Sequence, residues 1–237
     1  MDNFAIICAY NEEKTAVDVT RKTLKYVDKI IFVNDGSTDR TLNLMQSGFK
    51  GEKRVIILSH KKNMGKGRAL MTGFKRFLDE GGKNAVTIDA DGQSDPEEIP
   101  NLLLLAENRI SDIVVGSRFT KERGKIPLMR VLLNIFVNLL MVLVSGSFYS
   151  DLSSGFRCYT RKVVEGMLPE LRIEGYGIEA DSLRIASMKG FSVAVIPVSV
   201  SYNTGKKTNL VRMARSYTEF VWKYKSDIVK RIFNRKV

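Results

Sequence analysis

The 237-residue chain is poor in the residues that mark several common functional classes. Its two cysteines, Cys8 and Cys158, form no CxxC pair, and the chain has a single histidine, His60. These counts disfavour a zinc site and a disulfide framework, and they fit a reducing cytosol. The Gly-Lys-Gly that ends at Gly67 lacks the spacing of a Walker A loop, which disfavours a nucleoside-triphosphate hydrolase.

Long apolar runs are also missing. The run Val131–Val144, VLLNIFVNLLMVLV, has 14 residues and is apolar apart from Asn134 and Asn138. Because a membrane-spanning helix needs about 20 residues, the run predicts either an interfacial or re-entrant amphipathic helix or a helix buried in the core. Met1 leads directly into a strand-like segment, so no signal peptide is expected.

Acidic residues are scarce at the C-terminal end. The net charge is +12, and from Lys206 onward ten Lys or Arg residues stand against two acidic ones. From Thr208 apolar residues recur at helical spacing between basic ones. This pattern predicts a basic helix that either lies on an anionic membrane or packs on the preceding domain with a solvated face. No recognition motif accompanies the charge, so nucleic acid is not an expected partner.

Strand and helix patterns alternate up to residue 116. This alternation predicts an α/β fold, in which helices flank a mostly parallel sheet. A later strand is predicted at Ser192–Ser201, where Pro197 indicates a sheet edge or a bulge. The earlier predicted strands are Phe4–Ala9, Lys29–Val33, Arg54–Leu58, Ala85–Ile88 and Asp112–Val115, and the helices are Glu12–Tyr26, Thr38–Gln46, Gly65–Leu78 and Pro96–Glu107.

Each of the first five strands is followed by a polar segment: AYNEE, NDGSTD, HKKNMGKG, DADGQ and GSR. Ligands of parallel sheets bind beyond the carboxyl ends of the strands, so these segments predict one shared site. Their carboxylates suit a base and ribose hydroxyls, Lys66 suits phosphate, and the glycines permit close backbone approach. Taken alone, NDGSTD also fits a simple turn with Gly36 at positive φ.

The fourth segment carries Asp89, Asp91 and Gln93 at alternate positions. In extended backbone, alternate side chains leave on one face, so these oxygen-bearing groups are expected to converge. Two carboxylates and an amide suit Mg²⁺ or Mn²⁺. Taken alone, the segment also fits a polar turn before a helix that Asp95 caps and Pro96 begins.

The five segments in this order resemble glycosyltransferase family 2, the inverting GT-A type, and within it the dolichyl-phosphate and polyprenyl-phosphate sugar synthases. The matching stretches are AYNEE, VNDGSTDRT, NMGKGRAL, DADGQSDPEEIP, VVGSRF and DLSSGFRCYTR. The resemblance implies a Rossmann-like GT-A domain at 1–207, divided into a nucleotide-sugar half at 1–118 and an acceptor half at 119–207. It also implies an interfacial helix at about 127–145, and a basic amphipathic helix follows at 208–237.

The resemblance also assigns roles to individual residues. Asp89, Asp91 and Arg118 are the expected catalytic residues, and Asp89, Asp91 and Gln93 the expected metal ligands. The expected nucleotide-sugar ligands are Ala9, Tyr10, Glu12, Asp35, Lys66, Asp89, Ala90, Asp91, Gln93 and Lys207. The residues expected around the donor sugar are Ser154, Gly155, Arg157, Glu179 and Asp181.

The acceptor phosphate is expected to meet Arg118, Arg130 and Asn134. Arg130 stands at the head of an apolar helix, where its charge is costly without an anionic partner such as a lipid phosphate. The predicted reaction is metal-dependent, inverting transfer from a GDP- or UDP-sugar to a polyprenyl phosphate, by an enzyme peripheral on the cytoplasmic face of a membrane. Two alternatives stay open: transfer to a sugar hydroxyl with Glu179, Asp181 or Asp151 as base, or a non-catalytic membrane adaptor. A membrane-protein partner is also left open.

Overall fold

A computed structural model describes residues 2–118, 128–175, 177–199, 218 and 222–225. The strands are β1 Asn3–Ala9, β2 Lys29–Asn34, β3 Val55–Ser59, β4 Asn84–Asp89, β5 Ile113–Ser117, β6 Arg157–Thr160 and β7 Val193–Pro197. These seven strands of the described ranges form one sheet in the order β3-β2-β1-β4-β6-β5-β7. Its neighbours are parallel except for β6, which is antiparallel to β4 and β5. The predicted mostly parallel α/β sheet is therefore confirmed.

Helices cover both faces of this sheet. They are α1 Ala16–Thr23, α2 Thr41–Gly48, α3 Lys66–Asp79, α4 Ile99–Glu107, α5 Leu128–Ser145, α6 Arg161–Met167 and α7 Ile178–Lys189, with 3₁₀ turns at Pro96–Glu98 and Leu168–Glu170. In β1, Phe4 and Ile6 face one hydrophobic core while Ala5 and Ile7 face the other. Because both faces of the strand are buried, its sequence is a continuous apolar run instead of an alternating one.

The predicted element boundaries are close to the observed ones for the strands and less so for α1. Each of the five early strands lies within two residues of its predicted bounds. Helix α1 starts at Ala16 instead of Glu12, because the Glu12 carbonyl accepts the amides of Thr15 and Ala16 in a preceding turn. Strand β7 lies at a sheet edge and ends at Pro197, as the proline indicated.

Strand β6 was not anticipated, and it decides which segment reaches the site. Arg157 pairs with Thr87 and Cys158 with Val86 in an antiparallel ladder. The amino end of β6 therefore lies beside the carboxyl end of β4, where Asp89 stands. Residues 149–156, which precede β6, are brought to the same edge as the loops after β1 and β2.

Helix α5 is apolar on two faces. In the described ranges no helix is long and apolar enough to cross a membrane. Val137 and Met141 of α5 are buried in the core. Its outward stripe is 51% to 60% exposed and consists of Leu132, Ile135, Phe136 and Leu139. The core interpretation holds for one face of this helix, and the other face presents apolar surface.

Candidate active site

The loops after β1 and β2 are tied together at the carboxyl edge of the sheet. The Asp35 amide donates to the Ala9 carbonyl at 2.8 Å. Asn11 has a φ of 57°, a left-handed conformation that asparagine tolerates. Its amide donates to Ser37 Oγ at 3.0 Å, and its Oδ1 accepts the Thr38 amide at 2.8 Å. Asn11 was not among the predicted site residues, although an asparagine just after a strand is a signal for such a turn.

Asp35 holds the loop between β3 and α3. Its Oδ1 lies 2.7 Å from His60 Nδ1 and accepts the Met64 amide at 2.9 Å, while Oδ2 accepts the Gly65 amide at 2.9 Å. The side chain is buried, so its expected contact with the nucleoside stays a prediction. Gly36 has a φ of 69°, and a Cβ there would lie 2.2 Å from a backbone carbon, so the positive φ expected of Gly36 is confirmed.

Lys66, the first residue of α3, bridges two carboxylates from opposite halves of the chain. Its Nζ lies 2.7 Å from Asp89 Oδ1 and 2.7 Å from Glu179 Oε1. The Asp89 side chain is 38% exposed and that of Glu179 only 4%. Burial alone would lower the pKa of Lys66, but the charges of Asp89 and Glu179 outweigh it and raise that pKa well above the ordinary value. Lys66 is therefore a protonated link between the end of β4 and the start of α7.

The segment after β4 turns instead of continuing as a strand. Strand β4 ends at Asp89, and Gly92 has a φ of 72°. The expected extended geometry for Ala90 and Asp91 is therefore wrong. Asp91 Oδ1 instead accepts the Gln93 amide at 3.0 Å, which folds the side chain back onto its own loop.

In spite of this turn, Asp91 lies close to other carboxylates, and its pKa is raised. Burial and the charge of Asp89 raise the pKa of Asp91 to about 6, and Glu12 adds to the effect. Among the described residues, no three His, Cys, Asp or Glu side chains are grouped as a metal site. The predicted donor set differs from such a group because its third member is the amide of Gln93.

Gly155 brings the loop before β6 against the Lys66–Asp89 pair. A Cβ at Gly155 would lie 2.7 Å from Lys66 Nζ and 2.9 Å from Asp89 Oδ2, so a larger residue there would have to displace the ends of these two side chains. Thr87 Oγ1 donates to the Gly155 carbonyl at 2.7 Å, and Ser154 Oγ donates to the Gly116 carbonyl at 2.6 Å. The structure thus places Gly155 at the site and uses Ser154 to anchor its loop.

Arg157 lies behind this loop and is completely buried. Its guanidinium donates to the carbonyls of Leu152, Ser154 and Glu179 at 2.9, 2.7 and 2.7 Å. One side chain therefore fixes both the loop that carries Gly155 and the start of α7. Its expected contact with the donor sugar stays a prediction, since the side chain is completely buried among these carbonyls.

Arg118 is paired with Asp151. Nε and Nη2 of Arg118 donate to the two carboxylate oxygens of Asp151, both at 2.8 Å, and Nη2 also donates to Ser153 Oγ at 2.7 Å. Burial alone would raise the pKa of Asp151, but the charge of Arg118 outweighs it and holds that pKa below its ordinary value. An ionised, buried and paired Asp151 is poorly suited to act as a general base.

The polar residues of α5 also contact this loop. Asn134 Nδ2 donates to the Ser150 carbonyl at 2.8 Å, and its Oδ1 accepts the Leu152 amide at 3.3 Å. Asn138 Oδ1 accepts the Tyr149 amide at 3.0 Å. The expected polar stripe therefore binds backbone of the loop, and a phosphate contact by Asn134 stays a prediction. The side chain of Arg130 and the whole of Lys207 lie outside the described residues.

Asp181 does not take part in the ion pairs that Lys66 makes with Asp89 and Glu179. Its buried carboxylate accepts hydrogen bonds from the Arg172 amide, Arg184 Nε and Tyr224 Oη. Tyr224 is itself buried in the core. Tyr224 therefore packs on the domain, and contact of the C-terminal segment with a membrane stays a prediction. Of the expected site residues, Ala9, Tyr10 and Glu12 lie in or just after β1, at the same edge as Lys66, Asp89 and Asp91.

Comparison with known proteins identifies the family of the chain. The model of glycosyl transferase family 2 matches residues 4–168. The chain is 30% identical over 226 residues to UDP-N-acetylglucosamine–dolichyl-phosphate N-acetylglucosaminyltransferase of Methanococcus voltae, covering 88% of this chain and 90% of the relative. It is 27% identical over 231 residues to a dolichyl-phosphate beta-glucosyltransferase of Trichomonas vaginalis, covering 91% and 71%.

Solved structures share the fold. A mannosyltransferase from Pyrobaculum calidifontis in complex with GDP-Man and Mn²⁺ aligns with a TM-score of 0.64 at 14% identity, covering 98% of this chain and 70% of that one. TarS from S. aureus in complex with UDP-GlcNAc aligns with a TM-score of 0.60 at 17% identity, covering 100% and 68%. At these identities the likeness shows the GT-A fold alone.

Proposed function

This chain belongs to glycosyl transferase family 2, and from that premise we propose that it transfers a sugar from a nucleotide sugar to the phosphate of a polyprenol at a membrane surface. The names of the relatives from Methanococcus voltae and Trichomonas vaginalis support a dolichyl-phosphate acceptor. The observation that carries the proposal is the loop 149–155. It is held by α5 through Asn134 and Asn138, and it presses Gly155 against Lys66 and Asp89.

This loop joins an apolar surface to a charged site. The outward stripe of α5 offers large apolar side chains of the kind that enter the acyl boundary of a membrane. A lipid that lies along this stripe would present its phosphate at the loop whose other end contacts the donor site. The basic C-terminal segment would add attraction to anionic lipid. The cytoplasmic face is the proposed location, and the two unpaired cysteines of the described residues are compatible with it.

The donor would bind at the carboxyl edge of β1, β2 and β4. Asp89 and Asp91, with the amide of Gln93, offer the oxygen ligands that a hard divalent cation prefers. Burial and the charge of Asp89 raise the pKa of Asp91 to about 6, and a bound cation would offset both effects. When bound there, Mg²⁺ or Mn²⁺ supplies positive charge against the diphosphate leaving group. Lys66 adds a fixed positive charge next to Asp89.

The acceptor would need no general base. A phosphate monoester is largely ionised near neutral pH, so it can attack the anomeric carbon directly and invert it. The chain's task is then to orient the acceptor and to exclude water. The predicted phosphate ligands Arg118 and Arg130 suit this role because arginine stays charged and can bind phosphate oxygens in pairs.

One observation favours a second candidate, transfer to a sugar hydroxyl. Such an acceptor needs a base, and Glu179 lies in contact with Lys66 beside Asp89. The other two carboxylates considered for this role are less suited, since Asp151 is paired with Arg118 and Asp181 with Arg184, whereas Glu179 is paired with the lysine that also contacts Asp89. Glu179 is thus the residue whose replacement separates the two acceptor classes.

The direct test supplies radiolabelled UDP-GlcNAc, and then GDP-mannose, to the purified protein with Mn²⁺ and vesicles that contain dolichyl phosphate. We expect label in a lipid that mild acid releases, and none with Asp91→Asn. Any turnover of a nucleotide sugar by the wild type dismisses the non-catalytic adaptor. Turnover of the nucleotide sugar that leaves no label in the lipid would contradict the phosphate acceptor.

Two variants then separate the acceptor classes. With a phosphate acceptor, Arg130→Ala should lower lipid transfer about 30- to 150-fold, which corresponds to a lost charged contact of about 2 to 3 kcal/mol. Its nucleotide affinity should stay unchanged, and Glu179→Gln should retain measurable transfer. With a hydroxyl acceptor the order reverses: Arg130→Ala is mild and Glu179→Gln is nearly inactive.

A further inference from the structure

Asp181 is a buried carboxylate that the proposed reaction does not use. Its Oδ2 accepts the Arg172 amide at 3.0 Å. Its Oδ1 accepts from Arg184 Nε at 2.9 Å and from Tyr224 Oη at 2.6 Å. Asp181 has no exposed surface, so each of these contacts is made in a site that water does not reach.

Asp181 is linked to both backbone segments that hold the Lys66–Glu179 ion pair. On one side it stands in the first turn of α7, two residues after Glu179. On the other side it binds the Arg172 amide, which leads into Glu174. The Glu174 carbonyl accepts the amide of Gly67, the residue after Lys66, at 2.8 Å. A displacement of Asp181 would therefore move both partners of the ion pair.

The backbone of residues 172–174 packs tightly against the start of α3. A Cβ at Gly67 would lie 2.2 Å from the Ile173 carbonyl oxygen, and one at Gly65 would lie 2.5 Å from that of Glu174. Backbone packed this closely transmits a shift of the Arg172 amide to Lys66.

Tyr224 reaches Asp181 from the far C-terminal end of the chain. It is 2% exposed, whereas Trp222 in the same short segment is 71% exposed. Its ring lies 4.1 Å from the guanidinium carbon of Arg184, the second partner of Asp181. Burial and the negative charge of Asp181 raise the pKa of Tyr224, so the phenol remains a donor at neutral pH.

We propose that Tyr224 is a positioning residue, which acts through Asp181 to hold Lys66 and Glu179 in place. In this way the C-terminal segment supports the active site from the buried side of these residues. The catalytic part of this inference depends on the proposed function. The structural part does not, because it concerns the backbone at Gly67 and Arg172. The C-terminal segment is thus more than a detachable membrane anchor.

Hydrogen exchange tests the structural part without any substrate. Tyr224→Phe keeps the ring and removes the hydroxyl, and we expect the Gly67 and Arg172 amides to exchange about tenfold faster. Amides of β1 should exchange as in the wild type. Wild-type exchange rates at Gly67 and Arg172 in this variant would overturn the proposal.

Kinetics test the catalytic part. With the substrates that the wild type uses, Tyr224→Phe should lower kcat about tenfold while KM for the nucleotide sugar stays unchanged. Two controls should keep wild-type kcat: Trp222→Phe in the same segment, and Phe77→Leu, which loses stability in the core. An unchanged kcat for Tyr224→Phe would overturn the positioning role. A wild type that turns over no nucleotide sugar would overturn the proposed function, and the exchange rates would still decide the structural link.

Discussion

The two halves of the molecule use the same charged residue types for opposite purposes. In the nucleotide half, Asp89 and Asp91 follow a strand end and face the carboxyl edge, with Asp89 still 38% exposed. The acceptor half contributes the buried Asp151, which binds Arg118 at the end of the nucleotide half, and Arg157, which binds the carbonyls that support Gly155 and Glu179. A buried charge needs a partner, and in the acceptor half that partner comes from the chain itself. In the proposed reaction the first half would supply the reactive groups, and the second half would supply the contacts that hold them in place.

The halves meet at Lys66. Its ion pairs to Asp89 and Glu179 are the contact through which the supporting contacts position the reactive edge. This division would be wrong if replacing a supporting residue lowered sugar transfer as much as replacing a reactive one. It would also be wrong if replacing a reactive residue lowered mainly the stability of the protein.

The largest effect is expected at the reactive edge. Asp91→Ala removes an expected metal ligand and should lower transfer by at least about 10²- to 10³-fold, as the loss of a preorganised electrostatic contact does elsewhere. EDTA should do the same to the wild type, and sugar transfer is the measurement. The matched control is Asp95→Asn, which removes a carboxylate from the same loop but keeps the cap on the Glu97 amide.

Full activity of the wild type in excess EDTA would contradict metal dependence. Equal losses for Asp91→Ala and Asp95→Asn would show that the loop is sensitive as a whole, and would remove the special role of Asp91.

The second largest effect is expected where the halves meet. Lys66→Met leaves the buried Glu179 carboxylate without its cation, and breaking a buried pair this way costs about 3 to 5 kcal/mol. Arg68→Met is the control in the same helix: its pair with Glu174 is about half exposed on both sides and should matter by at most about 1 kcal/mol. Urea unfolding measures both.

Adding Glu179→Gln to Lys66→Met should recover part of the lost stability, because the unpaired charge is gone. If Lys66→Met and Arg68→Met unfold at the same urea concentration, Lys66 does not join the two halves energetically.

The strand ends were predictable from the sequence, and the supporting contacts were not. The apolar runs of β1 to β5 and the polar segments after them have local signals, so Asp89 and Lys66 could be assigned to one edge. Strand β6 has four residues and no alternation, and its place between β4 and β5 depends on pairing with distant strands. Likewise, nothing in the sequence next to Arg157 or Asp181 reveals that their partners lie in loops and in the C-terminal segment.

A smaller effect is expected at the apolar stripe of α5. Replacing Ile135 and Leu139 together with Gln should weaken binding to anionic vesicles about tenfold, because about 1 kcal/mol of apolar transfer is lost at each half-exposed side chain, partly offset by the remaining contacts. Ile110→Gln, on an equally exposed apolar residue after α4, should leave binding unchanged. Vesicle sedimentation measures this, and equal losses for both proteins would show that the stripe has no special role.

The smallest effect is expected at the opposite end of the sheet, where Asp112 of the nucleotide half is bound to Ser192 of the acceptor half and has a purely structural task. Asp112 Oδ2 accepts the amide and the hydroxyl of Ser192, both at 3.0 Å, which joins the starts of β5 and β7. Burial alone would raise its pKa, but the hydrogen bonds from Ser192 and the charge of Lys162 outweigh it and lower that pKa. A lowered folded-state pKa contributes stability that is present above the unfolded value and is lost as pH falls through the folded value. Asp112→Asn should therefore be less stable than the wild type by about 1 kcal/mol at pH 7, and this difference in stability should close as the pH falls below about 4.

Urea unfolding at pH 7, 5 and 3 measures this difference in stability. Sugar transfer at pH 7 should stay at the wild-type rate, because Asp112 lies at the amino end of β5. A loss of transfer in this variant would show that a structural contact far from the site influences chemistry, and the distinction between reactive groups and supporting contacts would fail.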